Sequence, residues 1–373
     1  MKKLGFILLV LALCVGCQTK KVETFSNTSV TAGFDTFISI KTVADSQEQF
    51  DSYFTSSIEK FEYLNKLFDI YNTYPDVNNL KTINDNAGIA PVEVDQYIID
   101  LLNLSKEFYD LSGGEFDITM GSVLKVWHKY RELGLMAMNE GELGKLPSSE
   151  ELETAAACKG WEFVEIDDEN NTVYINNPCT SLDVGGIAKG FAAEVLANDL
   201  IEEEIPSGFV NAGGNVRTIN KKWDGSPWVV EIQNPDGAGS YLTVSRLGSA
   251  SFVTSGDYQR YYIAEDGKFY HHIIDPKTNF PATHFHSVTI ITENSAVADA
   301  LSTTIFTLPY EEGSALISKY NQDHPDKPVS AVWLMDQAQA NEIKNDHQLV
   351  VGNYIAVYTE DLKDYLVVKD PAK

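Results

Sequence analysis

The chain has 373 residues, 43% of them hydrophobic, and a formal net charge of −26. That much apolar material can bury a sizeable core, and the acidic balance leaves no basic stripe to neutralise phosphates, which argues against nucleic acid as a partner. An anionic ligand would be repelled by the overall field, so a site for one needs local cations or a metal.

The first residues read as a processing segment rather than as part of the fold. Lys2 and Lys3 precede an apolar run from Leu4 to Val15, too short to span a bilayer comfortably. Val15-Gly16-Cys17 then has the form of a bacterial lipobox, with Cys14 where leucine is usual. The expectation is a lipoprotein signal peptide over 1–16, an acylated Cys17, a polar tether over 17–29 and one catalytic body over 30–373. Such a protein is extracytoplasmic and held to a bacterial membrane by its lipid anchor.

A strand is expected at Phe37–Ile40, followed by a long helix with the buried stripe Phe50, Phe54, Ile58, Phe61, Leu64 and Phe68. A second helix near Gln96–Leu111 carries Ile98, Leu101, Leu102 and Phe108 on one side and stops at Ser112-Gly113-Gly114. The alanines at 155–157 continue a short helix, and Trp161–Asp168 and Thr172–Asn176 read as a hairpin across Glu169-Asn170-Asn171. Cys158 and Cys179 flank that hairpin, either as a disulfide, which an exported protein permits, or as two buried thiols. From Gly208 onward strands dominate: Trp228–Gln233, Tyr241–Ser245, Gln259–Ala264, Ser287–Thr292, Ala331–Met335, Tyr354–Tyr358 and Tyr365–Val368. Helices interrupt them at about 296–307 and 310–320. This irregular order favours an α+β fold over a doubly wound parallel sheet.

Asp183-Val184-Gly185-Gly186-Ile187-Ala188-Lys189-Gly190 places a carboxylate, a Gly-Gly turn and a lysine at the entrance of an amphipathic helix. Lys189 falls in the first turn, where free N–H groups and the helix dipole favour an anion. The stretch is either a phosphate seat or an ordinary tight turn. Asp299 and Thr303, four residues apart on one helix face, are hard oxygen donors suited to Mg2+, or simply a polar face with Thr303 bonded back to its own helix. His272 and Asp275 form a candidate general base with a carboxylate neighbour, or a structural pair near a strand end. No Gly-x-Ser-x-Gly elbow supports acyl transfer, and no Gly-x-Gly-x-x-Gly follows a first strand.

In chain order, Phe34-Asp35-Thr36, Tyr74 before Asn78-Asn79-Leu80, Gly113-Gly114-Glu115-Phe116-Asp117-Ile118-Thr119, the 183–190 stretch, Asn211-Ala212-Gly213-Gly214-Asn215, Thr254-Ser255-Gly256-Asp257-Tyr258, His271-His272-Ile273-Ile274-Asp275-Pro276 and Ala298-Asp299-Ala300-Leu301-Ser302-Thr303-Thr304 resemble the ApbE family of FAD:protein FMN transferases. The resemblance covers about residue 30 to the C-terminus. It implies an ApbE-like mixed body of largely antiparallel sheets flanked by helices. FAD is then the substrate, with Phe34, Tyr74, Glu115, Phe116, Asp117, Asp183, Lys189 and Ile274 on FAD-contact positions. Mg2+ is held by Asp299, Thr303 and the backbone carbonyl of Gly186, and Asp299 is expected to be an exposed ligand. The family's His-x-Ile-Asp-Pro pattern favours His272 over His271 as the group that takes the acceptor's proton, with Asp275 orienting it. The implied activity is Mg2+-dependent transfer of FMN from FAD to a Thr or Ser hydroxyl of an exported acceptor flavoprotein, releasing AMP. The alternatives are an FAD pyrophosphatase giving FMN and AMP, and a flavin-binding lipoprotein without catalysis.

The lipobox generates a direct test. Cys17→Ser should move the protein from the membrane fraction to a soluble or unprocessed form, with activity on a soluble acceptor unchanged. Fractionation that recovers processed Cys17→Ser protein in the membrane pellet would refute lipid anchoring.

Overall fold

In the computed structural model, which describes residues 22–236 and 240–369, a nine-stranded sheet forms the frame. Its spatial order is Thr24–Ser29, Ile38–Val43, Gly208–Ala212, Asn215–Ile219, Ala250–Gly256, Ser287–Thr292, Ser330–Asp336, Tyr354–Tyr358 and Gln348–Val351. All neighbouring strands are antiparallel, so with the helices the molecule is α+β. Cys17 and the 1–16 segment lie outside the described residues. The expected tether ends earlier than Ser29, because Thr24–Ser29 pairs along its length with Ile38–Val43 as the sheet's edge strand. Its alternating polar residues are what an edge strand tolerates and what a tether also looks like.

Every residue of Ser287–Thr292 is buried, which requires cover on both faces of the sheet. One face carries the main core, including Val288 and Ile290, beneath the helices. The other carries Ile291, Val332 and Ala356 against a three-stranded sheet of Trp228–Gln233, Ser240–Arg246 and Leu366–Val368.

The helix Gln47–Phe68 starts at Ser46, whose side chain accepts from Gln49 N–H, and buries Phe50, Phe61, Leu64 and Phe68. Phe54 and Ile58 of the expected stripe are half-buried at its margin. Gln96–Ser112 ends on Gly113 in the left-handed region, at φ 67°. The hairpin is Val164–Asp167 with Thr172–Ile175, and the flanking Cys158 and Cys179 form a disulfide with Cα atoms 5.3 Å apart. A helix that the sequence reading lacks, Gly121–Asn139, runs beside the cavity described below and is tied to the 274–281 turn by Trp127 Nε1 donating to the Asn279 carbonyl at 2.8 Å. Among the described residues no helix is long and apolar enough to cross a membrane.

Two helices, Ala188–Glu202 and Ser295–Thr307, pack on the sheet and on each other. Ala188, Ala192, Ala193, Ala197, Ala296, Ala298 and Ala300 are all buried, so small side chains let the backbones come close. The closest point is Gly190, where a Cβ would stand 2.3 Å from the Ser295 carbonyl oxygen and 2.4 Å from Asp299 Cβ. Behind it lies a buried ion pair: Arg217 Nε donates to Glu194 Oε2 at 2.9 Å and Nη2 donates to Oε1 at 3.3 Å. Glu194 Oε2 also accepts from Ser295 N–H at 2.7 Å, capping the second helix from the first.

This pair sets an expectation for stability. Arg217→Met leaves Glu194 as an uncompensated buried charge and should cost about 3–5 kcal/mol. Arg217→Met combined with Glu194→Gln, which still accepts from Ser295, should recover most of that loss in urea denaturation. Equal losses for the single and double variants would show that packing, not charge pairing, dominates.

Candidate active site

A cavity of about 570 Å³ opens between the 183–190 turn, the 115–120 segment, the Gly121–Asn139 helix and the 254–274 segment. That is an ordinary size for a cofactor-scale ligand. Glu115, Phe116, Asp117, Asp183, Gly186, Lys189, His272, Ile274, Asp299 and Thr303 all line it. Residues far apart in sequence are thus brought to one surface.

Three expected residues are not on that surface. Phe34 turns its ring into the core, 4.8 Å from Phe61 and 6.4 Å from Phe68 between centroids, while its neighbours Asp35, Thr36 and Phe37 line the cavity. Tyr74 donates its hydroxyl to Asp69 Oδ2 at 2.6 Å. From this stretch it is Tyr71 that reaches the cavity wall, its ring centroid 5.3 Å from that of His128. Asp275 builds the next turn, accepting from Lys277 N–H at 2.7 Å and from the Thr278 hydroxyl at 3.0 Å. It therefore does not orient His272.

The glycine turn is shaped by Asp183, whose Oδ1 accepts from Gly185 N–H at 2.9 Å while its own N–H donates to the Ile118 carbonyl at 2.8 Å. The helix then begins at Ala188 with no side-chain cap, and Lys189 stands in its first turn. Burial pushes the Asp183 carboxyl above its usual pKa range, opposed by Gly185 N–H and the charges of His128 and Arg131. Glu115 is buried and ion-paired with Lys277 from outside the cavity. Asp117 accepts from Thr119 N–H at 2.9 Å and from its hydroxyl at 2.6 Å, and burial raises its pKa.

Asp299 is only 5% exposed, so the expectation of an exposed ligand is wrong. Its Oδ2 accepts from Gly190 N–H at 2.7 Å. Burial raises its pKa, opposed by Lys189, Gly190 N–H and Asn215. Thr303 Oγ1 lies 3.4 Å from the Gly186 carbonyl oxygen and 3.4 Å from Ser255 Oγ. A Cβ on Gly186 would meet Thr303 Cγ2 at 3.2 Å and Phe116 at 3.3 Å, which explains why a glycine brings its carbonyl this near. A carboxylate, a hydroxyl and a carbonyl make an all-oxygen donor set with room for water and phosphate, which fits Mg2+. No group of three or more His, Cys, Asp or Glu side chains that could hold a metal occurs among the described residues, and the donors here are of mixed type.

The two adjacent histidines differ sharply. His271 Nε2 lies 2.7 Å from the Ala282 carbonyl oxygen and Nδ1 accepts from Ile273 N–H at 3.2 Å, so both ring nitrogens are engaged by the backbone. His272 Nδ1 is buried without a hydrogen-bond partner. Burial lowers the His272 pKa to about 3, helped by the positive charges of His271, Arg260, Arg131 and Lys189.

The sequence reading missed Tyr71, Leu124, Trp127, His128, Arg131, Ser255 and Arg260. Four of them belong to or are carried by Gly121–Asn139, whose Val123, Trp127 and Gly134 do recur at helical spacing and are buried.

The chain and its fold have clear counterparts. The ApbE family model matches residues 34–325. A Treponema pallidum protein named FAD:protein FMN transferase is 33% identical over 278 residues, covering 70% of this chain and 74% of that one. A Haemophilus influenzae protein of the same name is 28% identical over 333 residues, covering 86% and 92%. Among solved structures, the ApbE protein of Thermotoga maritima superposes with a TM-score of 0.69 at 30% identity over 83% of this chain and 94% of that one. The flavin transferase ApbE from Vibrio cholerae, at 22% identity and a TM-score of 0.70 over 92% of this chain and 99% of that one, shares the fold. With the family's pattern extending from the first cavity loop past the Asp299 helix, the chain belongs to the ApbE family.

Proposed function

We propose that this chain is an enzyme of flavin transfer that moves FMN from FAD to a Thr or Ser hydroxyl of a protein acceptor and releases AMP. The single observation that carries this reading is the convergence of Asp299, Thr303, the Gly186 carbonyl and Lys189 in the same cavity as His272. The names of the relatives supply the activity class. Acylation of Cys17 would hold the enzyme where exported acceptors pass.

In the reaction the acceptor oxygen attacks the FMN-side phosphorus, the P–O bond to AMP breaks, and the hydroxyl proton leaves. Mg2+, held by Asp299, Thr303 and the Gly186 carbonyl, would supply Lewis acidity at the phosphoryl oxygens. Lys189 adds a point charge near the same carboxylate. Tyr71 and Phe116 offer flat surfaces for rings. His272 accepts the proton. A bound pyrophosphate offsets the cations that depress its pKa and so makes it a better base when substrate is present.

The reading is tested by mixing the folded domain with FAD, Mg2+ and candidate exported flavoproteins, and following in-gel flavin fluorescence on the acceptor. Asp299→Asn keeps the volume and an acceptor for Gly190 N–H, so it should fold while transfer falls by at least about 10²-fold. Thr303→Val should lose less. Undiminished transfer by Asp299→Asn at limiting Mg2+ would reject the metal role.

His272 also makes a pH expectation with a definite sign. Its pKa is about 3 when folded and about 6.5 when unfolded, so between these values the unfolded chain binds the extra proton. Stability from this group is therefore full above pH 6.5 and is lost as pH falls toward 3. His272→Gln should narrow the gap between urea midpoints measured at pH 7.5 and pH 5. An unchanged gap would mean that the imidazole is solvated and titrates normally.

A further inference from the structure

We propose that Arg131 and Arg260 clamp the phosphoryl group in transit, the FMN-side phosphate of FAD, where the acceptor hydroxyl meets it. The inference rests on the transferase reading above and adds two residues to it.

The chain has four arginines. Arg217 is bound to Glu194, with 2.9 Å between Nε and Oε2, and Arg246 to Asp361, with 3.1 Å between Nη2 and Oδ2. The other two both line the cavity. Among the described residues neither forms an ion pair, although acidic residues outnumber Lys and Arg by 54 to 28. Arg131 makes one hydrogen bond, from Nη2 to His128 Nδ1 at 2.8 Å. It projects from the same face of the Gly121–Asn139 helix as Leu124, Trp127 and His128. Arg260 comes from the loop between the Ala250–Gly256 strand and the strand Tyr261–Ile263, which packs on the Gly121–Asn139 helix. Arg131 is half-buried, and its pKa is lowered first by that burial and then by the charge of Arg260. Two guanidiniums lining one cavity, one half-buried and one exposed, repel each other, and an anion between them relieves that repulsion.

Their position selects which anion. Both act on His272, whereas the charge that acts on Asp299 is that of Lys189. Lys189 acts on both groups, so it spans the metal-side and base-side halves of the site. The arginines thus stand beside the base, where the new P–O bond forms. The reaction turns a pyrophosphate with two negative charges and a neutral hydroxyl into a phosphodiester with one, AMP with two, and a released proton, so the phosphorus beside the base carries negative charge throughout the transfer. Planar forks that donate two parallel N–H groups suit the equatorial oxygens of a phosphorus in transfer.

Single-turnover transfer with FAD and acceptor saturating is the decisive measurement. Arg260→Ala, at an exposed position that should fold normally, and Arg131→Ala should each slow it by about 10²–10³-fold. Arg260→Lys should recover little, because a point charge replaces the fork. Guanidinium ion should rescue Arg260→Ala, and ethylammonium at the same concentration should not. FAD cleavage by water in the absence of acceptor should fall in parallel, since the same phosphorus is attacked. The proposal is overturned if turnover at saturation is unchanged, or if only the acceptor KM rises while FAD cleavage by water stays at the parental rate. The second result would make the pair a docking site for an acceptor carboxylate. A parent enzyme that cleaves FAD but labels no acceptor would reject the transferase reading alone, and the clamp would then be judged on cleavage.

Discussion

The approach of Ala188–Glu202 to Ser295–Thr307 at Gly190 is the constraint on which the site depends. Gly190 N–H reaches Asp299 Oδ2 at 2.7 Å only because no side chain intervenes. The contact fixes three things together: the carboxylate is held by a backbone donor, Lys189 is one residue away, and the carbonyl of Gly186 is carried back over Thr303. Any side chain at 190 would have to move the Ser295 backbone, which Glu194 caps and Arg217 braces from behind. A buried ion pair is a poor source of net stability, but here it fixes the register of two helices whose relative position sets the oxygen donors.

That arrangement also shows what sequence can and cannot carry. The Asp299–Thr303 spacing, the glycine turn and the stripes of the long helices are local patterns, and they were legible because a helix places residues four apart on one face whatever surrounds it. The strands Ser287–Thr292 and Tyr354–Tyr358 were bounded correctly by their runs of β-branched and aromatic residues. Phe34, Tyr74 and Asp275 failed for a different reason. Each lies in a turn where the direction of a side chain is set by backbone angles: Phe34 has φ of 55°, and its neighbours rather than itself face the cavity. In the 69–74 turn the side chain of Asp69 draws Tyr74 away and leaves Tyr71 on the wall. The helix Gly121–Asn139 escaped because it lacks a capping side chain and contains glycines at 121 and 134, yet Gly134 is there for Tyr262 to pack against. With that helix went Arg131 and His128.

The missing residues were nevertheless demanded by charge. A chain with a net charge of −26 repels a dinucleotide at long range, and a single lysine with a metal is a thin defence against that field. The cavity gathers Lys189, Arg131 and Arg260, but Asp35, Glu115, Asp117, Asp183 and Asp299 line it too, so an anion must be seated directly beside these cations rather than drawn in by a net positive cavity. Screening limits the surface field to about 8–10 Å at physiological salt, so a ligand that reaches the opening responds mainly to the charged groups that line the cavity.

The same cations act on His272, the base of the proposed reaction. Burial, with these cations adding to it, lowers the His272 pKa to about 3, too low for efficient proton abstraction near neutral pH. An anion placed among them offsets the cations' share of that depression and leaves the share due to burial. Under the proposed reaction, the acceptor's proton would go to the other ring nitrogen of His272, since Nδ1 is buried and without a partner. Base strength and phosphate occupancy would then be linked through charge: a phosphoryl group among the cations makes the imidazole a stronger base than the cations alone allow.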